Sequence, residues 1–353
     1  MHAQSEAQPE VQDDERFMRR AVELSWRGLG ETSPNPNVGC VLVAPGQQIV
    51  GEGRTSPTGG PHAEVNALAD AGERARGATA YVTLEPCNHT GRTGPCSRAL
   101  IAAGVARVVA AVRDPNPAAA GGAGTLRAAG VAVDLGTVLP EPARDAMVGW
   151  LTAVSRGTPY VIWKFAATLD GRSAAADGTS KWITSPEARA DVHRLRGGVD
   201  AIIAGIGTVL ADDPQLTVRS PTGELAARQP LRVVVDGSGR TTAGLKVVDQ
   251  TAPTWVVPGD GRRIDLRIML EELYARGVRT ALLEGGPTLA GAFLGEGLID
   301  RVVGYLAPKL LGAGPAALGA AGISTIAEAL TLDVVDLAKI GPDVRLTATV
   351  KGA

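Results

Sequence analysis

Short runs of β-branched and other apolar residues alternate along the first half of the chain with stretches whose apolar positions recur every three to four residues. The runs that predict strands are Val38–Val43, Thr79–Leu84 and Arg107–Val112, and the stretches that predict helices are about 14–28, 62–71, 96–103 and 122–129. Strand and helix signals in strict alternation indicate an α/β domain with a layered sheet.

A second alternating series follows the Gly157-Thr158-Pro159 link. Its predicted strands are Tyr160–Ala167, Ala201–Ile206, Leu231–Asp236, Thr254–Val257, Thr280–Glu284, Arg301–Pro308 and Arg345–Val350, and its predicted helices are 185–197, 266–276 and 287–296. A chain of 353 residues is long enough for two average domains. We therefore expect domains at 14–150 and 158–353, preceded by a flexible, polar tail over residues 1–13.

Composition narrows the classes of function. The net charge of −2 leaves no basic surface for nucleic acid. We find no apolar stretch that resembles a membrane span, and the first residues have neither the basic nor the apolar region of a signal peptide. The expectation is a cytoplasmic protein that acts on a small molecule, without nucleic-acid or membrane partners.

Three cysteines are too few for a disulfide framework, and two of them stand at the ends of predicted elements. His62 opens a helix, Cys87 follows a strand and Cys96 begins another helix. One imidazole and two thiolates form a three-ligand zinc set whose fourth position is left for water. Glu64 lies two residues beyond the His ligand, where it can move a proton, as in zinc deaminases of nucleobases.

The alternative for this cluster is a closed, structural zinc site, which needs four protein ligands. His89 is the nearby candidate for a fourth ligand, but a structural site would leave Glu64 without a role. Eight residues separate Cys87 from Cys96, whereas deaminases of nucleosides and nucleic acids have Cys-x-x-Cys. The longer loop carries His89 and Arg92, which suit an anionic small substrate.

Asn35 and Asn37, next to the first strand, could donate amide hydrogen bonds to a heterocycle, although Asn-Pro elements are often simple turns. The segments Thr32–Gly39, His62–Glu64 and Glu85–Cys96 resemble the deaminase half of the bifunctional riboflavin-biosynthesis proteins, the diaminohydroxyphosphoribosylaminopyrimidine deaminase/5-amino-6-(5-phosphoribosylamino)uracil reductases. The resemblance implies a cytidine-deaminase-like α/β/α domain with Zn²⁺ on His62, Cys87 and Cys96 and with Glu64 as the proton shuttle.

In the second half, residues Gly205–Leu210 lack the third glycine of a dinucleotide-binding fingerprint. Residues Leu282–Gly291 follow the pattern of a strand, a glycine turn and a helix with Pro near its first position. Free N–H groups at such a helix start can bind phosphate, but an ordinary strand–helix turn explains the bare pattern equally well.

The segments Lys164–Gly171, Ser180–Ser185, Thr208–Pro214, Leu216–Arg219 and Glu284–Thr288 resemble, in order, the reductase half of the same family. The resemblance implies a dihydrofolate-reductase-like α/β domain that binds NADPH through Ala166, Trp182, Thr208, Asp212, Gly237, Gly286, Pro287, Thr288, Leu289, Ala290, Gly291 and Ala292. It assigns the ribosylaminopyrimidine phosphate to Ser180, Arg196, Leu216, Arg219 and Glu284. Lys164 either polarises the sugar or is a surface charge.

Together these features predict a bifunctional enzyme. It would deaminate 2,5-diamino-6-(5-phosphoribosylamino)pyrimidin-4-one with zinc and then reduce the ribosyl chain of the product with NADPH. The main alternative is a zinc deaminase of tRNA or DNA with a non-catalytic C-terminal module, and a second is a C-terminal module that only dimerises. The family resemblance also implies a homo-oligomer, either a dimer or a tetramer.

Overall fold

The computed structural model describes residues 7–90, 94–259, 261 and 264–350. The chain divides into two compact units, Met1–Gly157 and Thr158–Ala353. Among the described residues no helix is long and apolar enough to cross a membrane.

In the first unit the helices are α1 (Ala7–Arg27), α2 (Ala63–Ala71), α3 (Cys96–Ala102), α4 (Gly122–Ala128) and α5 (Pro140–Arg156). The strands are β1 (Gly39–Ala44), β2 (Gln48–Arg54), β3 (Thr79–Leu84), β4 (Arg107–Val112) and β5 (Ala132–Leu135). The predicted strands β1, β3 and β4 and the predicted helices α2, α3 and α4 are confirmed to within a residue at each end, whereas the sequence pattern predicts neither β2 nor β5.

The five strands form one sheet in the order β2-β1-β3-β4-β5. β1 pairs antiparallel with β2 and β3, while β3, β4 and β5 run parallel. The central strands are buried along nearly their whole length, as expected for strands covered on both faces. α1 contacts α5, and α3 contacts both α2 and α4. The helices therefore cover the sheet in two groups, in the α/β/α layering that we expected.

Helix α1 begins at Ala7, so residues 7–13 are helical and not part of a flexible tail. The next residue, Asp14, is buried and anchors the helix to the sheet. Its carboxylate accepts a hydrogen bond from the Tyr81 hydroxyl (2.6 Å) and two from the Arg107 guanidinium (2.9 and 2.7 Å). Tyr81 and Arg107 lie far from Asp14 in the sequence, so the polar sequence of residues 1–13 gives no sign that the helix is held to the sheet.

Two glycines of β2 allow α2 to lie directly against the sheet. A Cβ on Gly53 would stand 2.2 Å from the carbonyl oxygen of Ala63, and one on Gly51 would stand 2.3 Å from that of Ala67. Both distances are shorter than non-bonded atoms allow. The same glycines weaken the strand pattern of β2, so the sequence does not predict this strand. Their close contact fixes the first turn of α2, next to His62 and Glu64.

In the second unit the helices are α6 (Pro186–Gly197), α7 (Ile206–Asp212), α8 (Leu266–Ala275) and α9 (Pro287–Gly295). The strands are β6 (Tyr160–Thr168), β7 (Ala201–Gly205), β8 (Leu231–Asp236), β9 (Thr254–Pro258), β10 (Thr280–Leu283), β11 (Arg301–Ala307), β12 (Leu332–Ile340) and β13 (Asp343–Val350). All seven predicted strands and all three predicted helices are confirmed with small differences at their ends, and α7 and β12 are additional.

These strands form a sheet in the order β12-β13-β11-β6-β10-β7-β8-β9. The six strands from β11 to β9 run parallel, and β13 pairs antiparallel with β11 and β12. The carboxyl ends of parallel strands meet at one edge of a sheet, where ligands of α/β proteins bind. Glu284 follows β10 and Gly237 follows β8, so this edge carries two of the predicted site residues.

Candidate active sites

The three predicted zinc ligands meet in the first unit. His62 immediately precedes α2, Cys87 lies in the loop after β3, and Cys96 is the first residue of α3. The His62 Nδ1 atom lies 3.6 Å from Cys87 Sγ and 3.4 Å from Cys96 Sγ. Ligand atoms bound at about 2.0–2.3 Å to a tetrahedral zinc lie about 3.3–3.8 Å from one another, so both distances fit the metal.

The ligating atoms of these residues all lie within 4.8 Å of one another, and within the described part of the chain no fourth ligand joins them. His89 is exposed and is not a member of this group. Hydrogen bonds from Cys96 and His62 hold the pKa of the Cys87 thiol well below its ordinary value, which favours one of the two thiolates that zinc requires. Three protein ligands with a free fourth position are typical of a catalytic zinc site rather than a structural one.

Glu64 lies on the first turn of α2 and its side chain is buried. Burial, together with the charge of Cys87, raises the pKa of Glu64 to about 7. A carboxyl group with this pKa can both accept and return a proton near neutral pH. The position and the chemistry of Glu64 thus suit the proton shuttle that the sequence predicts.

A second carboxylate, that of Glu85, holds together the elements next to the metal ligands. It is buried, and its two oxygens accept hydrogen bonds from the Asp114 N–H (3.3 Å) and the Ala123 N–H (3.0 Å). Glu85 therefore joins the ends of β3 and β4 to the start of α4. A Cβ on Gly122 would stand 1.8 Å from the Pro86 carbonyl oxygen, so α4 lies tightly against the Cys87 loop. In the sequence Glu85 is only part of the resemblance motif, and no signal there reveals this role.

The predicted substrate contacts of the first unit are placed in different surroundings. Asn35 is half-buried, whereas His89 is exposed. Asn37 is buried, and its NH₂ group donates to the Ser25 carbonyl (3.0 Å) and to the Ala146 carbonyl (2.8 Å). Asn37 thereby links α1 to α5, and its Oδ1 atom is the part of the side chain left for a heterocycle. Arg92 lies outside the described residues.

In the second unit, three predicted substrate residues form one buried group of charges. Glu284 accepts two hydrogen bonds from Arg196, with N–O distances of 2.6 and 3.0 Å, and its carboxylate lies 3.7 Å from Lys164 Nζ. The exposed fractions of the side chains are 7% for Glu284, 15% for Arg196 and 16% for Lys164. Lys164 is therefore not a surface charge, and burial lowers its pKa. Two cations around one anion leave a net positive charge, which favours an anionic ligand.

Arg219 and Leu216 lie in the segment between α7 and β8. The Arg219 N–H donates to His193 Nδ1 (3.2 Å), and Arg196 Nη1 donates to the Thr217 carbonyl (3.0 Å), so helix α6 holds this segment beside the charged group. Leu216 is buried and has a left-handed backbone conformation.

Two of the remaining predicted residues meet at the Ser180 loop. The Ser180 hydroxyl donates to the Asp212 carboxylate (3.5 Å), which also lies 3.8 Å from Lys181 Nζ. The Trp182 ring is 63% exposed, and the Arg189 guanidinium lies over it at 4.3 Å. An exposed indole with one face covered by a cation is suited to stacking on a planar ligand.

The glycine turn before α9 and the helix itself both lie close to neighbouring atoms. A Cβ on Gly286 would stand 3.1 Å from Thr208 Oγ1, which places this turn next to α7. A Cβ on Gly291 would stand 2.3 Å from the Ala320 carbonyl oxygen. Ala290 is fully buried and its N–H donates to the Gly286 carbonyl, so it has no polar group left for phosphate. The predicted phosphate contacts therefore narrow to the first residues of the stretch, Gly286 to Leu289.

Gly237 and Ala166, which the resemblance assigns to the nucleotide, are both half-buried. Gly237 is covered closely by the loop after β9, since a Cβ on Gly259 would stand 2.3 Å from the Gly237 Cα. Ala166 lies on β6, two residues beyond Lys164.

Comparison with known proteins agrees with this division of the chain. The family described as the cytidine and deoxycytidylate deaminase zinc-binding region matches residues 11–112, and the RibD C-terminal domain family matches residues 159–346. The riboflavin biosynthesis protein RibD of Mycobacterium tuberculosis is 48% identical over 339 residues, which cover 96% of this chain and 98% of that protein.

Two solved structures have the same fold over nearly the whole chain. RibD of Acinetobacter baumannii is 42% identical with a TM-score of 0.89, and the match covers 97% of this chain and 99% of that one. A diaminohydroxyphosphoribosylaminopyrimidine deaminase/5-amino-6-(5-phosphoribosylamino)uracil reductase from Thermotoga maritima is 35% identical with a TM-score of 0.88, again covering 97% and 99%.

A zinc-binding deaminase domain and a reductase domain on one chain define a bifunctional enzyme. This chain belongs to the RibD family of riboflavin biosynthesis proteins, the deaminase/reductases that use zinc in the first domain and NADPH in the second. The predicted cytidine-deaminase-like and dihydrofolate-reductase-like folds are confirmed, and the alternative of a tRNA or DNA deaminase is not supported.

Proposed function

We propose that the first unit deaminates 2,5-diamino-6-(5-phosphoribosylamino)pyrimidin-4-one and that the second reduces the ribosyl chain of the product, 5-amino-6-(5-phosphoribosylamino)uracil, to a ribityl chain. The observation that carries the proposal is the cluster of His62, Cys87 and Cys96 with the buried Glu64 on the adjoining helix turn. The substrate named for the Thermotoga maritima relative supports the choice of pyrimidine.

Bound zinc supplies the Lewis acidity that makes water a nucleophile near neutral pH. Glu64 takes the proton from the attacking water and passes it to the departing amine. The water oxygen becomes the ring carbonyl and the amine leaves as ammonia. His62, Cys87 and Cys96 hold the metal, and the loop residues Asn35, Asn37, His89 and Arg92 contact the substrate in this proposal.

In the second unit the proposed cofactor residues would hold NADPH, whose hydride would reduce the imine or carbonyl at C1′ of the opened ribosyl chain while its nitrogen or oxygen takes up a proton. Lys164, which is buried on β6 next to Glu284, donates a hydrogen bond that polarises the sugar. Arg196 is already held by both oxygens of Glu284, so it attracts the phosphate through its charge. We assign the direct phosphate contact to Arg219, with Ser180 and Leu216 completing the subsite.

The NADPH site of this proposal combines the turn at Gly286–Leu289 with Ala166, Trp182, Thr208, Asp212 and Gly237. Pro287 is the first residue of α9, and the turn before it has no side-chain cap. The N–H groups of such a helix start are free to bind a phosphate. The proximity of Thr208 to Gly286 supports a single site formed by β7, α7 and α9.

The proposal extends to a homo-oligomer, a dimer or tetramer, in the cytoplasm. β12 lies at one edge of its sheet, and apolar side chains along it are exposed: Leu332, Val334, Val335 and Leu337. An apolar sheet edge is suited to pairing with a second copy of the chain. The three cysteines, all within the described residues, form no disulfide, which supports a reducing compartment.

The test supplies the diaminopyrimidine phosphate with and without NADPH and measures ammonia and NADPH consumption separately. Glu64→Gln should retain zinc but release ammonia about 10²–10⁴ times more slowly. Arg219→Ala should release ammonia normally and lose NADPH consumption at low substrate concentrations. Normal ammonia release by Glu64→Gln would show that another group moves the proton.

A further inference from the structure

Arg219 lies in a segment, residues 213–230, that contains no helix or strand. A long arginine side chain in such a segment loses considerable conformational freedom when it is held in one orientation. The guanidinium of Arg219 is nevertheless bound on two sides, since Nη1 donates to the Gly223 carbonyl (2.6 Å) and Nη2 donates to Gln215 Oε1. The side chain of Gln215 is therefore one of its supports.

Gln215 is itself held by a chain of hydrogen bonds that ends in the protein interior. Its Nε2 donates to Asp249 Oδ2 (3.0 Å), and Asp249 Oδ1 accepts from Arg232 Nη1 (2.9 Å). Arg232 also donates to the Gln215 carbonyl (3.2 Å), so it holds both the backbone of Gln215 and the residue that binds its side chain. The Arg232 side chain is 0% exposed.

The other bonds of Arg232 show that it cannot move without breaking the surrounding structure. It lies on β8, and its guanidinium donates to Thr254 Oγ1, Lys246 O, Asp249 O and Ala252 O. A buried guanidinium with filled donors is a rigid anchor because every lost bond would leave a desolvated polar group.

We propose that Gln215, held by Asp249 and the buried Arg232, is a positioning residue that aims Arg219 at the substrate phosphate. The inference rests on the proposed role of Arg219 and extends it to groups that do not touch the substrate. The Asp249 carboxylate only accepts hydrogen bonds, so it fixes the Gln215 amide with its NH₂ toward Asp249 and its carbonyl oxygen toward Arg219. The carbonyl oxygen is the end of the amide that can hold a guanidinium.

The test is the Gln215→Met variant of the full-length enzyme, which keeps the length of the side chain and removes both of its hydrogen bonds. The KM for 5-amino-6-(5-phosphoribosylamino)uracil should rise about tenfold while kcat changes less than about twofold, because binding is weakened and hydride transfer is not. The Kd for NADPH and the release of ammonia should stay unchanged. Gln250→Met, at an exposed position beside Asp249, is the matched control and should leave KM unchanged.

A double variant shows whether Gln215 acts through Arg219. If it does, Gln215→Met added to Arg219→Ala raises KM no further than Arg219→Ala alone, because the two changes remove one shared interaction. Additive effects, or an unchanged KM in Gln215→Met, would overturn the positioning role. An unchanged KM in Arg219→Ala alone would instead overturn the proposed phosphate contact, and the positioning role with it.

Asp249→Asn provides a second, isosteric perturbation. An Asn side chain can still accept from Arg232, but it presents an NH₂ group to Gln215. The Gln215 amide then turns its carbonyl toward Asn and its NH₂ toward Arg219, so that two donors face one another. The expected result is a rise in KM similar to that of Gln215→Met. A normal KM in this variant, with the fold intact by circular dichroism, would contradict the proposed chain.

Discussion

Glu284 is the anion between two buried cations, so its neutralisation tests whether this group of charges stabilises the second unit. Glu284→Gln keeps the size of the side chain and leaves Arg196 and Lys164 as two positive charges without a counter-charge. Removing one partner of a buried ion pair is strongly destabilising because the remaining charge stays desolvated. The second unit should therefore unfold more easily at neutral pH.

The magnitude follows from the pKa of the carboxyl group. Burial alone would raise the pKa of Glu284, but the charges of Arg196 and Lys164 outweigh it and lower the pKa from 4.5 to about 2. One pKa unit corresponds to about 1.4 kcal/mol, so the loss in Glu284→Gln should be about 3 kcal/mol. Because the pKa is lower in the folded state, this stabilisation is complete above about pH 4.5 and is lost as the pH falls toward 2.

The assay is calorimetric unfolding of the full chain at neutral pH, with the transition of the first unit as the internal reference. A loss of about 3 kcal/mol should lower the Tm of the second unit by about 6–12 °C. The control is Glu272→Gln, because Glu272 forms a 2.9 Å ion pair with Arg276 but its side chain is 49% exposed. Such a surface pair contributes about 0.5 kcal/mol or less. Equal, small effects of the two variants would refute the reasoning.

Three further predictions concern the first unit and the exposed strand. Chelation of zinc should lower the Tm of the first unit and stop ammonia release, but it should spare NADPH consumption. Added Zn²⁺ should restore the Tm and ammonia release. Ammonia release from the metal-free protein would contradict the zinc mechanism. Gly122→Ala, whose Cβ would stand 1.8 Å from the Pro86 carbonyl oxygen, should destabilise the first unit by about 1–3 kcal/mol in urea unfolding. Gly124→Ala, with open space around it, is the control and should not destabilise the unit. Leu337→Glu should lower the oligomer mass in sedimentation, since Leu337 is 67% exposed on β12, and an unchanged mass would exclude this edge as the interface.

The zinc cluster could be predicted because its ligands stand where elements begin or end. His62 precedes α2 and Cys96 starts α3, so the sequence signals for those helices also locate the ligands. Cys87 follows a strand whose apolar run is clear in the sequence. In an α/β layered domain these ends lie at one edge of the sheet, and residues far apart in the chain are brought together by regular structure alone.

The surroundings of Asn37 could not be predicted in the same way. An amide next to a strand looks the same in a sequence whether its NH₂ faces a ligand or a backbone carbonyl. In the structure the NH₂ meets Ser25 and Ala146, which belong to two helices on either side of it in the chain. Only the packing of α1 against α5 decides this, and no local pattern records it.

The sequence pattern does not predict β12, for a related reason. Its apolar residues Val334 and Val335 are adjacent, so they do not alternate with polar residues as in a strand with one buried face. The structure shows a register shift between Val334 and Asp336, and both valines are exposed. Apolar and polar residues alternate along a strand when one of its faces packs on the core of its own domain. Most apolar residues of β12 are exposed, so this alternation is not required there.

The partners of buried charged residues on the parallel strands distinguish a structural anchor from a candidate ligand site. Buried charge is unfavourable unless it is paired, so Arg232 and Lys164 both require an explanation. Arg232 donates to backbone carbonyls, to hydroxyls and to Asp249, and these partners satisfy it without a ligand. Lys164 and Arg196 instead share the single negative charge of Glu284, which leaves one positive charge within this group. Such an imbalance favours a bound anion, which supports the proposed substrate site, whereas the satisfied partners of Arg232 suit a structural anchor.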